Sequence, residues 1–352
     1  MYPKSRKMRS FASDNAAPAA PEILEAISRA NDGDAISYGD DPFTERAVER
    51  FRSIFGPSTD VYFAFNGTGA NVVALSCLLQ PWEAVICPDS AHLQTDECGA
   101  FERFSGCKIL AVPERDGKLH TDDLAAFAAA APDQHHVRPR AVSISQSTEY
   151  GTLYTSDEIR ELCAFAHAQG WFVHMDGARI CNAAAASGMG LRECTRDLGV
   201  DVLTFGGTKN GLLFGEVILF FDSALHRGAV PYVRKQAMQL ASKMRFISAQ
   251  FLALLEDDRW HRYASHANAM TRRLEERVRA LDGVRITRPV ECNAIFATLE
   301  RTAIAPISAQ FFFYVFNDAL PEVRWMTHHA TTADDVDAFA GAIARAVRAP
   351  AG

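Results

Sequence analysis

The chain has 352 residues, a formal charge of −7 and a pI near 5.9, with 48% hydrophobic and 22% charged residues. That length supports a large domain plus a smaller one with a substantial buried core, and the acidic balance argues against nucleic acid or an anionic membrane as main partner. No apolar run approaches the roughly 20 residues of a membrane span, the basic start MYPKSRKMRSFASDN lacks the apolar stretch of a secretory signal, and eight cysteines without a C-x-x-C pair predict reduced thiols, no zinc site and a cytoplasmic protein.

In chain order, APAAPEILEAISRAND predicts a helix ending near Gly33, and TERAVERFRSIFG a second ending at Gly56. Strands and helices then alternate. VYFAF runs into NGTGAN and the helical VVALSCLLQ; AVICPDS, KILAVP and RAVSISQS are strands; SDEIRELCAFAHAQG and LRECTRDLG are helical segments before the strands WFVHMD and DVLTF. The AAFAAAAPD tract at 125–133 marks a helix end. Strands so uniformly apolar predict a mostly parallel sheet covered on both faces, an α/β fold. Residues 231–280 read as long and helical. A small α+β set follows: VRITRP, NAIFATL, helix SAQFFFYVFN, EVRWMTH and helix ADDVDAFAGAIARAVR. The expected division is an N-terminal arm and helix (1–35), a large domain (36–245), and linking helices with a small C-terminal domain (246–352).

Ligands of open α/β sheets collect at the carboxyl ends of strands. VYFAF ends in Asn66-Gly67-Thr68-Gly69-Ala70-Asn71, where backbone N–H groups and a helix N-terminus suit an anion; the plainer reading is a strand-to-helix turn capped by Asn or Thr. AVICPDSAHLQTDECGA places His92 and Glu97 past another strand, and this histidine either stacks on a planar cofactor or is structural. WFVHMDGARICNA ends in Asp176, with Arg179 three residues on. Asp176 either meets a protonated ring nitrogen or forms an ion pair with Arg179. His174, on the same strand face, reads as a supporting residue. DVLTFGGTKNG delivers Lys209, with Gly206 and Gly207 clearing space for a flat ring. In the small domain, Arg324 is either a carboxylate clamp or an edge-strand surface residue. A phosphate turn, a stacking histidine, a strand-end aspartate with arginine, a lysine and a small-domain arginine, in that order, are what a pyridoxal 5′-phosphate (PLP) enzyme of the aspartate-aminotransferase fold, fold type I, requires. Lys209 is then the Schiff-base lysine.

On FASDN, YGDDPFTERA, FAFNGTGAN, ICPDSAHLQTDECGA, QSTEYGTLYT, HMDGARICNA, DVLTFGGTKNG and QLASKMRFIS, the chain resembles the low-specificity L-threonine aldolases of the β-eliminating lyase group, and stands close to phenylserine aldolases. The resemblance spans Phe11 to about Arg348. It implies Gly67 and Thr68 at the phosphate, His92 on the ring, Asp176 at the ring nitrogen and Lys209 as the Schiff base. It implies Ser13, Arg179 and Arg324 at the substrate carboxylate or the ring. Tyr38 would reach in from a neighbouring subunit, and Arg245 similarly toward the phosphate. Where many relatives read T-H-N-G, this chain reads Thr148-Glu149-Tyr150-Gly151. The base for the substrate hydroxyl is thus His92, Glu149 or a bound water, and His135 and His136 are either near the side-chain pocket or solvated. The implied activity is reversible cleavage of β-hydroxy-α-amino acids to glycine and an aldehyde by a homotetramer, a dimer of dimers with shared sites. β-Elimination, dehydration or transamination on the same residues, and non-catalytic PLP binding, are the alternatives.

Overall fold

The computed structural model describes residues 9–129 and 133–348; the first eight residues of the arm and residues 130–132 of the alanine-rich tract lie outside them. Seven strands form the large sheet: β1 (Asp60–Ala64), β2 (Glu83–Pro88), β3 (Lys108–Val112), β4 (Arg138–Ser145), β5 (Phe172–Gly177), β6 (Val202–Gly206) and β7 (Glu216–Phe220). Their order is β1-β7-β6-β5-β4-β2-β3. Strand β7 runs antiparallel to β1 and β6, and the remaining pairs are parallel. Every residue of β2, β6 and β7 is buried, which is why those strands read as continuous apolar runs instead of alternating ones.

Two hydrophobic clusters occupy the two faces of this sheet. One holds Phe63, Val142, Val173, Leu203 and Val217, covered by helices Pro42–Phe55, Ser156–Ala168 and Arg245–Leu255. The other holds Val85, Ala141, Val202 and Ile218 beneath helix Gly67–Leu78. Local chemistry sets the helix ends. Asp41 caps Pro42–Phe55 by accepting from Thr44 N, and Gly56 leaves that helix at φ 107°. Thr155 and Glu158 form a reciprocal box at the start of Ser156–Ala168.

The small sheet is antiparallel, in the order β10-β11-β9-β8, with β8 (Val284–Ile286), β9 (Ala294–Leu299), β10 (Tyr314–Asn317) and β11 (Glu322–Met326). The arm is built into it. Phe11 is fully buried and stacks on Phe339 with ring centroids 4.1 Å apart. Its N–H donates to Phe312 O and its carbonyl accepts from Met326 N, both at 2.7 Å. That anchorage delivers Ser13 and Asp14 to the space between the two sheets.

Three expectations change. LRECTRDLG is turns and a short 3₁₀ segment, Arg196–Leu198, rather than a helix. The 231–280 stretch is broken into Val230–Gln236, Arg245–Leu255 and Arg259–Val278. In SAQFFFYVFN the helix has already ended at Ser308, and YVFN is strand β10, paired through Tyr314 with Arg324. An unbroken apolar run carries no period, so aromatic and β-branched content, which favours a strand, decides.

Candidate active site

Strands β4, β5 and β6 end side by side, with Ser145 opposite Asp176 and Asp176 opposite Thr204. Above their carboxyl ends lies a cleft of about 760 Å³, lined by residues including Ser13, His92, Glu149, Arg179, Lys209 and Arg324. A larger groove of about 880 Å³ lies between helices Pro21–Arg29, Pro42–Phe55 and Arg245–Leu255, but its lining interleaves Glu22, Glu25 and Glu49 with Arg29, Arg46 and Arg50. Those charges compensate one another on a surface. The smaller cleft is the one that gathers an amine, unpaired carboxylate oxygens and guanidinium groups.

Lys209 stands in the 3₁₀ turn Thr208–Asn210, directly after β6. Burial and the Arg179 guanidinium push its ammonium below the usual value, against the opposing pull of Asp14, Asp176 and Glu216. That shift is toward the neutral, nucleophilic amine. The flanking glycines have a different reason from the one expected. A Cβ on Gly206 would lie 2.6 Å from the Ala178 backbone, and one on Gly207 would meet Leu212 at 2.4 Å and the Phe251 ring at 2.9 Å. Packing of the chain against itself, not room for a ring, excludes a side chain at both.

Asp176 does not pair with Arg179. Its Oδ2 accepts from Asn71 Nδ2 and its Oδ1 from Ala178 N, both at 2.9 Å. Burial pushes its carboxyl up, yet these neutral donors and Lys209 together hold it below the usual value. Arg179 instead grips Asp14, with Nε–Oδ2 and Nη2–Oδ1 both at 2.8 Å. Asn293 Nδ2 adds a third bond to Asp14 at 3.0 Å. Although burial pushes Asp14 up, the guanidinium holds it far below the usual carboxylate range. Ser13 caps the short turn that carries Asp14, accepting from Asn15 N at 3.2 Å. Arg324 is on β11, an interior strand rather than an edge; it is half-buried, and its Nη2 donates to Ala12 O at 3.1 Å.

His92 opens the short helix His92–Thr95, and its Nδ1 is 2.9 Å from Glu97 Oε1. Its ring partner is thus a carboxylate rather than backbone. That bond raises the imidazole pKa in spite of partial burial. Glu149 receives His92 N at 2.9 Å and Ser145 Oγ at 2.8 Å on the same oxygen, Oε1, and leaves Oε2 buried with no partner. Burial, aided by Asp176, raises its pKa over the opposing effect of those two donors. His174 is fully buried on Ser143 Oγ at 2.8 Å, and burial lowers it to about 4. It supports the sheet from within.

Asn66 caps helix Gly67–Leu78 through Gly69 N at 2.8 Å. The plain cap is therefore present, and the first-turn N–H groups of Gly67 and Thr68 still have no preceding carbonyl to bond. Four other candidates stand apart from the cleft in a single chain. Tyr38 is half exposed at φ 66°, with its N–H on Ser242 O at 2.9 Å. Arg245 donates to Gly33 O at 2.8 Å. His135 and His136 are exposed. The sequence reading overlooked Asp14, Asn71 and Glu216. Glu216 is buried opposite Gly206 and accepts from Thr208 Oγ1 at 2.8 Å; burial pushes it up to about 7 in spite of Thr208 and Lys209. A lone carboxylate heading the apolar EVILFF was its signal.

A strand-end lysine and aspartate on this mixed sheet, with a second small sheet closing the cleft, define a fold-type-I PLP enzyme. Thermus thermophilus aspartate aminotransferase shares the fold, with a TM-score of 0.67 at 14% identity over 96% of this chain and 91% of that one. Residues 10–302 match the beta-eliminating lyase family. The low specificity L-threonine aldolase of Pseudomonas aeruginosa is 46% identical over 308 residues, covering 87% of this chain and 89% of that one. The Leishmania major threonine aldolase structure superposes with a TM-score of 0.91 at 31% identity, over 96% of this chain and 99% of that one. The chain belongs to the beta-eliminating lyase family, among the threonine aldolases.

Its cofactor is PLP, and the residues present fit it. Asp176 is a partly buried carboxylate with only neutral hydrogen-bond donors, the partner a protonated ring nitrogen needs. Lys209 is a buried amine shifted toward its neutral form beside it, and the helix N-terminus at Gly67 and Thr68 suits a phosphate.

Proposed function

We propose that the cleft catalyses reversible cleavage of β-hydroxy-α-amino acids such as L-threonine, L-allo-threonine and phenylserine to glycine and an aldehyde. The observation that carries this reading is the set of groups converging on Lys209: Asp176 below it, and Glu149, His92, Arg179 and Arg324 around the same cleft. Lys209 is the residue that would hold PLP, with Asp176 at the ring nitrogen, His92 on the ring face, and Gly67 and Thr68 at the phosphate. Bound PLP supplies a sink for the electron pair released at Cα.

The chain's own groups do the rest. Arg324, with Ser13 and the Arg179 Nη1 that Asp14 leaves free, holds the substrate carboxylate and so fixes which Cα bond is aligned for cleavage. Glu149 Oε2, unpartnered and raised in pKa, accepts the β-hydroxyl proton. The Cα–Cβ bond then breaks, the aldehyde leaves, and a proton returned to Cα gives glycine. Tyr150, Tyr314 and Phe316 line the cleft, with the Tyr150 ring 5.4 Å from Phe296 and 5.9 Å from Phe316. This wall suits an aromatic β substituent.

The same reading extends to assembly and location. Ile36, Tyr38, Phe65, Leu213, Tyr232 and Met238 are exposed, an apolar set that supports a homo-oligomer, a dimer of dimers in which Tyr38 and Arg245 serve a neighbour's site. The proposed division into an arm with its helix (1–35), a large unit (36–245) and a small unit with linking helices (246–352) is supported by the presence of two separate sheets, with the linking helix Arg245–Leu255 packed on the large one. No helix among the described residues is long and apolar enough to cross a membrane, and eight free cysteines support a cytoplasmic location. The deciding experiment incubates purified protein with a panel of β-hydroxy amino acids. Glycine plus aldehyde supports the reading; a keto acid plus ammonia would replace it with β-elimination.

A further inference from the structure

Beneath the cleft floor runs a hydrogen-bonded chain that joins two of its groups through the protein. The Glu97 side chain has no exposed surface. Its Oε1 takes both His92 Nδ1 and Asn71 Nδ2, each at 2.9 Å. The same Asn71 Nδ2 also lies 2.9 Å from Asp176 Oδ2. Asn71 Oδ1 accepts from Thr204 Oγ1 at 2.8 Å. The amide orientation is thereby fixed by chemistry: the flipped form would aim its oxygen at two carboxylates, which only accept. One NH₂ group thus gives one hydrogen to Glu97 and one to Asp176, two carboxylates from different segments.

This geometry settles the imidazole as well. Ionised Glu97 only accepts, so His92 Nδ1 carries the hydrogen and Nε2 is the atom whose protonation varies. Glu97 Oε2 is buried with no partner. A buried carboxylate satisfied on one oxygen alone is costly unless a cation stands against it, and among its hydrogen-bond partners only His92 can become one. The charged groups facing His92 are Glu97, Asp176 and Lys209, with Glu149 beneath its backbone N–H and Asp89, Asp96, Glu114, Arg179 and Arg324 around the cleft.

We propose that Asn71 and Glu97 are positioning residues that hold His92 as an imidazolium, with Nε2–H free to face the cleft, and couple its proton affinity to the charge on Asp176. The consequence for chemistry is direct. An imidazolium cannot take the substrate hydroxyl proton, so that role falls to Glu149, while His92 is a fixed positive charge and a proton donor. This last step rests on the function proposed above; the His92–Glu97–Asn71–Asp176 unit does not.

The test is an NMR titration of His92 in holoenzyme carrying ¹³C-labelled histidine, repeated without cofactor. In wild type, His92 should titrate above the ordinary value of about 6.5. Glu97→Gln keeps an oxygen acceptor but removes the charge, and should lower the midpoint by about one to three pH units. Asp176→Asn should lower it by less, and that effect should shrink in an Asn71→Ala background, where only the through-space charge of Asp176 remains. Equal midpoints in wild type and Glu97→Gln would overturn the proposal, as would an Asp176→Asn effect undiminished without Asn71. Should Asn71→Ala fail to fold, the near-isosteric Glu97→Gln comparison decides alone. Borohydride trapping at Lys209, run in parallel, tests the cofactor reading separately: a missing label with an intact His92 shift would sink that reading and leave this one standing.

Discussion

The two walls of the cleft treat charge in opposite ways. Toward the small sheet, Asp14 of the arm meets Arg179, which is rooted beside β5, through two bonds of 2.8 Å, and Asn293 adds a third. On the large-sheet side, Asp176 has only neutral donors, Glu97 and Glu149 each keep a buried oxygen with no partner, and Lys209 has been shifted toward its neutral form. On the first, the Asp14 carboxylate is saturated by the protein, although Asn293 Oδ1 and Arg324 Nε beside it stay buried with no partner. The other retains capacity for groups the protein does not itself provide, which is how a scaffold binds a charged cofactor without saturating the residues that must act on it.

The sharpest way to break this contrast is Lys209→Ala, which removes the central group of the large-sheet wall. Cleavage of threonine or phenylserine should fall by roughly 10⁵-fold, about 7 kcal/mol of transition-state stabilisation, as measured by glycine release; retained turnover would end the mechanism. On the Asp14 side the loss should be structural. Asp14→Ala strands the Arg179 guanidinium and should cost about 3–5 kcal/mol in urea unfolding. The sign with pH follows from the depressed folded value of Asp14. Its contribution is fully present above the unfolded value of about 4 and is lost as pH falls through the folded one, so wild type and Asp14→Ala should converge in acid. Glu149→Gln should lower kcat on the order of a hundredfold. Because the Glu149 pKa is raised and the carboxylate is the active form, wild-type kcat should climb with pH through that value, and the variant should lose this acid limb. At the small end, His136→Ala, in an exposed loop away from both walls, should shift stability by no more than about 0.5 kcal/mol and leave kinetics unchanged.

Sequence legibility followed the same division. Asp176 ends an apolar strand and Lys209 and His92 sit just past two others, so strand ends located them without knowledge of the tertiary fold. Arg179 was found for the same reason, but its partner was not, because Asp14 lies 165 residues away and reaches it only through an arm threaded into the other sheet. Asn71 was visible as part of a turn motif, yet its function depends on two carboxylates brought together by tertiary packing. The Gly206 and Gly207 pair shows that a correct location can come with the wrong cause, since only the folded chain reveals what a Cβ would strike. In FFFYVFN the difficulty was local: six apolar residues in succession, Phe311 to Phe316, give neither a twofold nor a 3.6-fold rhythm.

The arm has a mechanical consequence. Its backbone is bonded to Phe312 and Met326 of the small unit, and three residues after Phe11 it surrenders Asp14 to an arginine rooted beside β5. Residues 11–14 are therefore a tie-rod between the two sheets. Any hinge movement of one sheet relative to the other must strain that tether, so the spacing of the two arginines that would grasp a substrate is governed by a few residues near the beginning of the chain.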